Sequence, residues 1–260
     1  MRIKSLAFLV LLTNSAAWSL DLAQYRIVDL SHSYGEDTIY WPTSPTRFGK
    51  TELAYGDSGG GYFYSAYSVC TPEHGGTHLD APIHFAEEGA ATDQVPLENL
   101  VGDAVVIDVS AQAAKDPDYL LSIADVERFE ADHGRIQAGA IVLMRTDWSR
   151  RWPDTLAYMG DDRPGETSGL RFPGFGVDAT RLLVEERRVA VLGVDTASID
   201  TGQSSDFMAH RIAAAAGVVN LENLANLAEL PATGSVVLAL PMKIQGGSGG
   251  PARVIALVPR

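Results

Sequence analysis

The chain alternates short apolar runs with polar, glycine-bearing turns, and run length separates strands from helices. Residues 27–31 read as an opening strand, and the aromatic, β-branched run 62–70, preceded by Gly59-Gly60-Gly61, reads as another. Residues 105–109 and 140–144 are continuously apolar and of buried-strand length. Between them, residues 123–133 carry a helical repeat that stops at Gly134. Residues 151–176 contain Pro153, Pro164 and Pro173 with few aliphatic side chains, so an irregular excursion is expected there, of the kind that covers sites. Beyond it, 177–188 is predicted helical through Leu182, Leu183 and Val184, 189–194 is a strand, and 205–216 is a helix stopped by Gly217. Val218 and Val219 begin a further segment, and 236–240 and 253–258 supply the last strands. The alternation predicts an α/β fold with a mixed sheet flanked by helices. No repeat or linker divides residues 20–260, so they form a single domain.

Composition narrows the chemistry. At 46% hydrophobic over 260 residues the chain can bury a real core, which excludes disorder and small disulfide scaffolds. Its formal charge of −13 would repel a phosphate backbone, so no nucleic-acid partner is expected. The single cysteine, Cys70, permits neither an intrachain disulfide nor a cysteine-rich zinc site, leaving histidine and carboxylate to hold any metal.

The N-terminus has its own logic. Arg2 and Lys4 precede an apolar run from Leu6 to Leu12, then small and polar residues through Ser19, the layout of a secretory signal peptide over residues 1–19. Thr13, Asn14 and Ser15 interrupt the run well short of the roughly 20 apolar residues of a membrane span. The mature protein is therefore expected to be exported, periplasmic or secreted, with no membrane partner after cleavage.

Three of the six histidines fall in the block His74-Gly75-Gly76-Thr77-His78-Leu79-Asp80-Ala81-Pro82-Ile83-His84-Phe85. Positions 74, 78, 80 and 84 share one parity, so in extended chain their side chains start on one face. Fully extended, the block spans about 33 Å at roughly 3.3 Å per residue, too long for one site, so the chain must fold back, and Gly75-Gly76 is the place. His78 and Asp80 can converge on a metal by themselves, with His74 brought in as third ligand by the glycine turn. Loop histidines are ordinarily surface or hydrogen-bonded groups, but this density beside a carboxylate of matching parity favours a metal site. His84, beyond a proline, suits a proton shuttle. His210 on the predicted helix and Glu222 can join only if the chain turns at Gly217, and by composition alone each reads equally well as an ordinary helix histidine or a solvated acid.

Four stretches carry a resemblance: Asp29-Leu30-Ser31-His32 leading to Trp41-Pro42, the block 74–85, Gly193-Val194-Asp195-Thr196-Ala197-Ser198-Ile199-Asp200, and Pro241-Met242-Lys243-Ile244-Gln245-Gly246-Gly247. In this order, with His210 and Glu222, they make the chain similar to the metal-dependent cyclase or kynurenine-formamidase-like hydrolases, a family that includes bacterial arylformamidases and isatin hydrolases. The resemblance implies a swivelling β/β/α fold, a homo-oligomer, and a zinc or manganese centre of one or two ions that hydrolyses a small aromatic amide or lactam. It implies His74, His78 and Asp80 as metal ligands, His84 as the catalytic residue, and His210 and Glu222 as ligands that help hold a second ion. Tyr40, Trp41 and Phe63 are the aromatic candidates for a substrate pocket, followed by Tyr64, Trp148, Trp152, Phe172 and Phe175. An exported enzyme departs from the cytosolic tryptophan catabolism usual for kynurenine formamidases, and a hydrolase or cyclase acting on a different ester or lactone is an alternative to the amide or lactam reading.

Two other readings compete. Gly246-Gly247-Ser248-Gly249-Gly250 has the spacing of a serine nucleophile elbow, but Pro251 follows at once, a strand comes next, and no Asp or His remains downstream for a triad. A non-catalytic exported metal-binding or sensing protein would instead need a coordinatively closed site.

Overall fold

A computed structural model describes residues 21–260, so the expected signal segment 1–19 lies outside the described residues. The strands in chain order are β1 (Tyr25–Asp29), β2 (Gly49–Asp57), β3 (Phe63–Cys70), β4 (His78–Asp80), β5 (Val101–Asp108), β6 (Leu120–Leu121), β7 (Ile141–Arg145), β8 (Gly174–Phe175), β9 (Val191–Val194), β10 (Val219–Glu222), β11 (Ser235–Pro241) and β12 (Gly249–Pro259). The helices are α1 (Ser110–Ala113), α2 (Ile123–His133), α3 (Thr155–Met159), α4 (Val177–Arg181) and α5 (Met208–Ala215).

One sheet, ordered β1-β12-β11-β5-β7-β9-β10-β4, closes on itself because β4 also pairs with β12. The early residues of β12 meet β4 and the later ones meet β1, so seven strands form a barrel and β1 lies along its seam. Strands β5, β7, β9 and β10 run parallel, and the remaining pairings in this sheet are antiparallel. The expected mixed sheet is thus present, and the β4–β12 pairing closes seven of its strands into a barrel.

Strand alternation divides the core in two. On β7, Ile141 and Leu143 point into the barrel beside Leu79, Val106, Leu221 and Val254. Val142 and Met144 point outward, beneath a layer built from α2, α4 and α5 through Phe129, Ala179 and Ile212. Burial on both faces explains the unbroken apolar runs of the parallel strands.

Helix α2 matches its expected bounds. Ser122 and Asp125 form a reciprocal capping box at its start, and Gly134 takes φ 88° after its end. The helix expected over 177–188 keeps α-geometry only to Arg181 and continues as a π-helical turn, Leu182–Glu186. The one expected over 205–216 starts later, because Phe207 adopts a left-handed φ of 52°. Residues 151–176 contain α3 and fold onto a third cluster that buries Trp148, Tyr158 and Phe172. The hairpin β2–β3 stands apart from the barrel, exposed over most of both strands. Without a buried face, β2 left no alternation to read. Among the described residues no helix is long and apolar enough to cross a membrane.

Candidate active site

The short strand β4 organises the site. Leu79 enters the barrel core, so His78 and Asp80 on either side of it project from the outer face. Glu222 is the direct partner of His78 in the antiparallel β4–β10 pairing, which puts it on that same face. Gly217, at φ 74°, turns the chain between α5 and β10 and so delivers His210 and Glu222 to one place. His78, Asp80, His210 and Glu222 are all buried.

His74 comes back over β4 through Gly75 (φ 141°) and Gly76 (φ 57°). A Cβ on Gly75 would lie 2.1 Å from the Tyr40 ring, and one on Gly76 2.6 Å from the Tyr34 ring, so both backbone angle and close packing demand glycine there. His84 lies on the 3₁₀ turn Pro82–His84, which carries its ring onto that of His74 at 3.8 Å between centroids. The shared parity of the four positions therefore holds as a strand only for His78 and Asp80, and two turns bring in the others.

Asp80 is the hub. Its Oδ1 lies 2.7 Å from His74 Nδ1 and 3.2 Å from His78 Nε2, and its Oδ2 lies 3.2 Å from His210 Nε2. Glu222 Oε1 is 3.0 Å from His210 Nε2, and Oε2 is 3.4 Å from His78 Nε2. Two donor groups with metal-binding spacing result, His74–His78–Asp80 and Asp80–His210–Glu222, each with its ligand atoms within 4.8 Å of one another. The imidazole and carboxylate donors suit a divalent ion of borderline hardness, and Asp80 belongs to both groups.

Electrostatics agree with this fit. Burial pushes His78 down, but Asp80 and Glu222 beside it pull it up to about 9. His210 is likewise raised, with the Asp200, Asp80 and Glu222 carboxylates overcoming its burial. Burial raises Asp80, but His74, His78 and His210 hold it well below the usual carboxylate range. A cluster that draws protons onto its imidazoles in this way is one whose carboxylates call for positive charge. His84 is pushed the other way by partial desolvation, which Asp80 opposes and the three neighbouring imidazoles reinforce. Its ring is exposed to the cavity, where water moderates the shift, and its direction leaves the imidazole neutral at pH 7.

Asp200 holds His210 from behind. Its Oδ2 accepts from His210 Nδ1 at 2.7 Å and from the His210 backbone N–H at 3.1 Å, while Oδ1 accepts from the Ala209 N–H at 3.0 Å. One carboxylate thus satisfies the start of α5 and presents Nε2 to the cluster. Asp200 was legible only as a member of a motif, with no role attached.

Above the cluster lies a cavity of about 270 Å³, near the lower end of ligand pockets and suited to a one- or two-ring molecule. Tyr40 and Trp41 line it, and Phe85 and Phe207 join them. Phe207 packs 6.1 Å from Trp41 and 5.6 Å from Phe85, and Phe85 lies 4.6 Å from His210. Phe63 is not at the cavity: it sits on β3, 63% exposed, against Tyr55. Tyr64 is exposed on the same hairpin, Trp148 and Phe172 are buried under Trp41 in the third cluster, and Phe175 is in the outer core layer. Trp152 stacks on His32 at 4.2 Å. Aromatic residues in loops are equally able to pack locally, and the strand that carries Phe63 leaves the barrel instead of approaching the cavity.

The family profile described as "Putative cyclase" matches residues 28–201. The chain belongs to the cyclase family. An isatin hydrolase of Roseibium aggregatum is 38% identical over 212 residues, covering 78% of each chain. A kynurenine formamidase of Salinibacter ruber is 30% identical over 243 residues, covering 88% of this chain and 96% of its own. Among solved structures, isatin hydrolase A from Labrenzia aggregata bound to benzyl benzoate superposes with a TM-score of 0.84 at 37% identity, covering 92% of this chain and 95% of that one. An isatin hydrolase bound to the product analogue thioisatinate gives 0.85 at 33% identity, covering 92% and 94%.

Proposed function

We infer that this cyclase-family protein is a metal-dependent hydrolase that cleaves the C–N bond of a small aromatic amide or lactam, of the isatin or N-formylkynurenine kind. One observation carries the reading: two His/Asp/Glu donor groups share Asp80 directly beneath an aromatic cavity, with His84 beside them. A serial relationship to hydrolases of isatin and formylkynurenine supports the substrate class.

His74, His78 and Asp80 would hold one ion, and His210 and Glu222 with Asp80 would help hold a second, zinc or manganese being ions that such donors accept. A divalent ion there supplies charge that acidifies a water molecule and polarises a carbonyl. Tyr40, Trp41, Phe85 and Phe207 bind the aryl group and exclude water around it. His84, neutral at pH 7, takes a proton from water on a ring nitrogen and returns one to the leaving nitrogen, a role worth about 10²- to 10⁴-fold.

The finer parts of the reading have separate supports. Export to the periplasm or medium rests on the signal-like residues 1–19. Homo-oligomer formation is supported by the β2–β3 hairpin, which exposes Leu53, Tyr55, Phe63, Tyr64 and Val69, since a two-stranded hairpin without a packed face is at best marginally stable alone.

Elemental analysis of the mature protein, run beside hydrolysis of isatin and N-formylkynurenine before and after chelation, tests the assignment. One or two equivalents of metal with chelator-sensitive turnover is the expected result. Absence of metal after reconstitution, or bound metal with no turnover of any aryl amide or lactam, would overturn it.

A further inference from the structure

The glycine run around Ser248 has nucleophile-like spacing, yet its hydroxyl is tied to the back of the cluster. Ser248 Oγ donates to Glu73 Oε2 at 2.7 Å, and the Ser248 backbone N–H donates to the same oxygen at 3.0 Å. A carboxylate only accepts, and a hydroxyl has one hydrogen. With that hydrogen committed to Glu73, Ser248 Oγ can only accept from His74 Nε2, 2.8 Å away. Nε2 therefore carries the proton that stays, and Nδ1, facing Asp80 Oδ1 at 2.7 Å, is the atom offered to the cluster.

The neighbouring histidines are fixed the opposite way. His78 Nδ1 donates to the Gly76 carbonyl at 2.9 Å and His210 Nδ1 to Asp200 at 2.7 Å, so each presents Nε2. The glycines flanking Ser248 have a steric reason as well. A Cβ on Gly247 would stand 2.8 Å from Glu73 Oε1, and one on Gly249 2.6 Å from His74 Cε1, so the turn is moulded around the two side chains it connects.

We propose that Glu73 and Ser248 are positioning residues that hold His74 in its Nε2–H tautomer, making Nδ1 its ligand atom while His78 and His210 use Nε2. The inference rests on reading the cluster as a metal centre. It gives Ser248 a role through His74 and excludes one as nucleophile.

The test loads the full mature chain, labelled with ¹⁵N-histidine, with Zn²⁺ and reads long-range ¹H–¹⁵N correlations, while competition against a chromophoric chelator gives Zn²⁺ affinity. His74 should show protonated Nε2 and ligated Nδ1, the reverse of His78. Ser248→Ala and Glu73→Ala should each weaken Zn²⁺ binding by about 10- to 100-fold, the usual cost of losing a partner behind a ligand. Glu73→Gln, whose carboxamide oxygen still accepts from Ser248, should keep most of the affinity. A proton on His74 Nδ1 in the wild type overturns the proposal without recourse to any variant, as does Ser248→Ala binding Zn²⁺ as tightly as wild type. Wild-type protein that takes up no Zn²⁺ overturns the metal reading, and this inference with it.

Discussion

His78 and Glu222 are direct cross-strand neighbours in the β4–β10 pairing, with His78 Nε2 3.4 Å from Glu222 Oε2. Antiparallel partners share a face, so this single register fixes the geometry between the two donor groups. Sliding β4 by one residue would send His78 and Asp80 into the barrel and Leu79 into the site.

Substitution should separate holding from turnover. His78→Ala and Asp80→Ala are expected to lose both metal and activity, since each removes a buried donor. His84→Ala should retain metal and lose about 10²- to 10⁴-fold in kcat. Metal content and single-turnover rates measured on the same preparations check this, and full activity in His84→Ala would remove His84 from the mechanism.

The stability of metal-free protein should fall with rising pH across a defined window. His78 is raised from 6.5 to about 9, so its contribution is fully present below pH 6.5 and lost as pH rises through 9. His210 acts in the same sense. Asp195, raised by burial to about 6, completes its change below this window, and His32, lowered by burial to about 4, does too. Metal competes with the protons on His78 and His210, so the gain in Tm from saturating metal should widen between pH 6.5 and 9. Thermal melts at several pH values with and without metal read both trends, and a gap that narrows with pH would contradict them.

Asp200→Ala removes the N-terminal acceptor of α5 and the support behind His210 together. A loss of about 0.5–2 kcal/mol is expected from the cap alone, accompanied by metal affinity lower by about 10- to 100-fold. Asp200→Asn can still accept from the helix backbone, so it should recover more of the stability than of the affinity. Urea unfolding and metal competition on the two variants distinguish these effects.

Phe207 meets Trp41 and Phe85 across the cavity with its backbone at φ 52°. Phe207→Ala should raise KM for an aryl substrate with a smaller change in kcat, because it removes contacts made alike in ground and transition states. Phe207→Gly should show the same KM defect with less loss of stability than Phe207→Ala, since glycine takes the left-handed angle without strain. Steady-state kinetics and melts on the pair check both statements.

Paired charges on the hairpin, Tyr55→Glu with Phe63→Glu, should shift the protein to a smaller species by light scattering while leaving metal content unchanged. An unaltered mass would place any subunit interface elsewhere.

The sequence by itself determined the local order of this protein. Runs 105–109 and 140–144 read as buried strands because both their faces are covered, and the helix over 123–133 was read to its stop at Gly134, whose φ requirement is local. The density of histidine in 74–85 made that block a site by chemistry alone, with the fold-back at Gly75-Gly76 required by length. The tertiary structure decided what depends on pairing between distant segments. Closure of the sheet through β4 and β12, the facing of Glu222 and His78, the tie from Ser248 to His74 and the support of His210 by Asp200 all arise from strand register and chain reversal. Neither leaves a periodic trace in a single sequence. The same limit explains the aromatics: Phe63 and Phe207 look alike as residues, but one rides an arm away from the barrel while the other is turned into the cavity by a left-handed backbone at the start of α5.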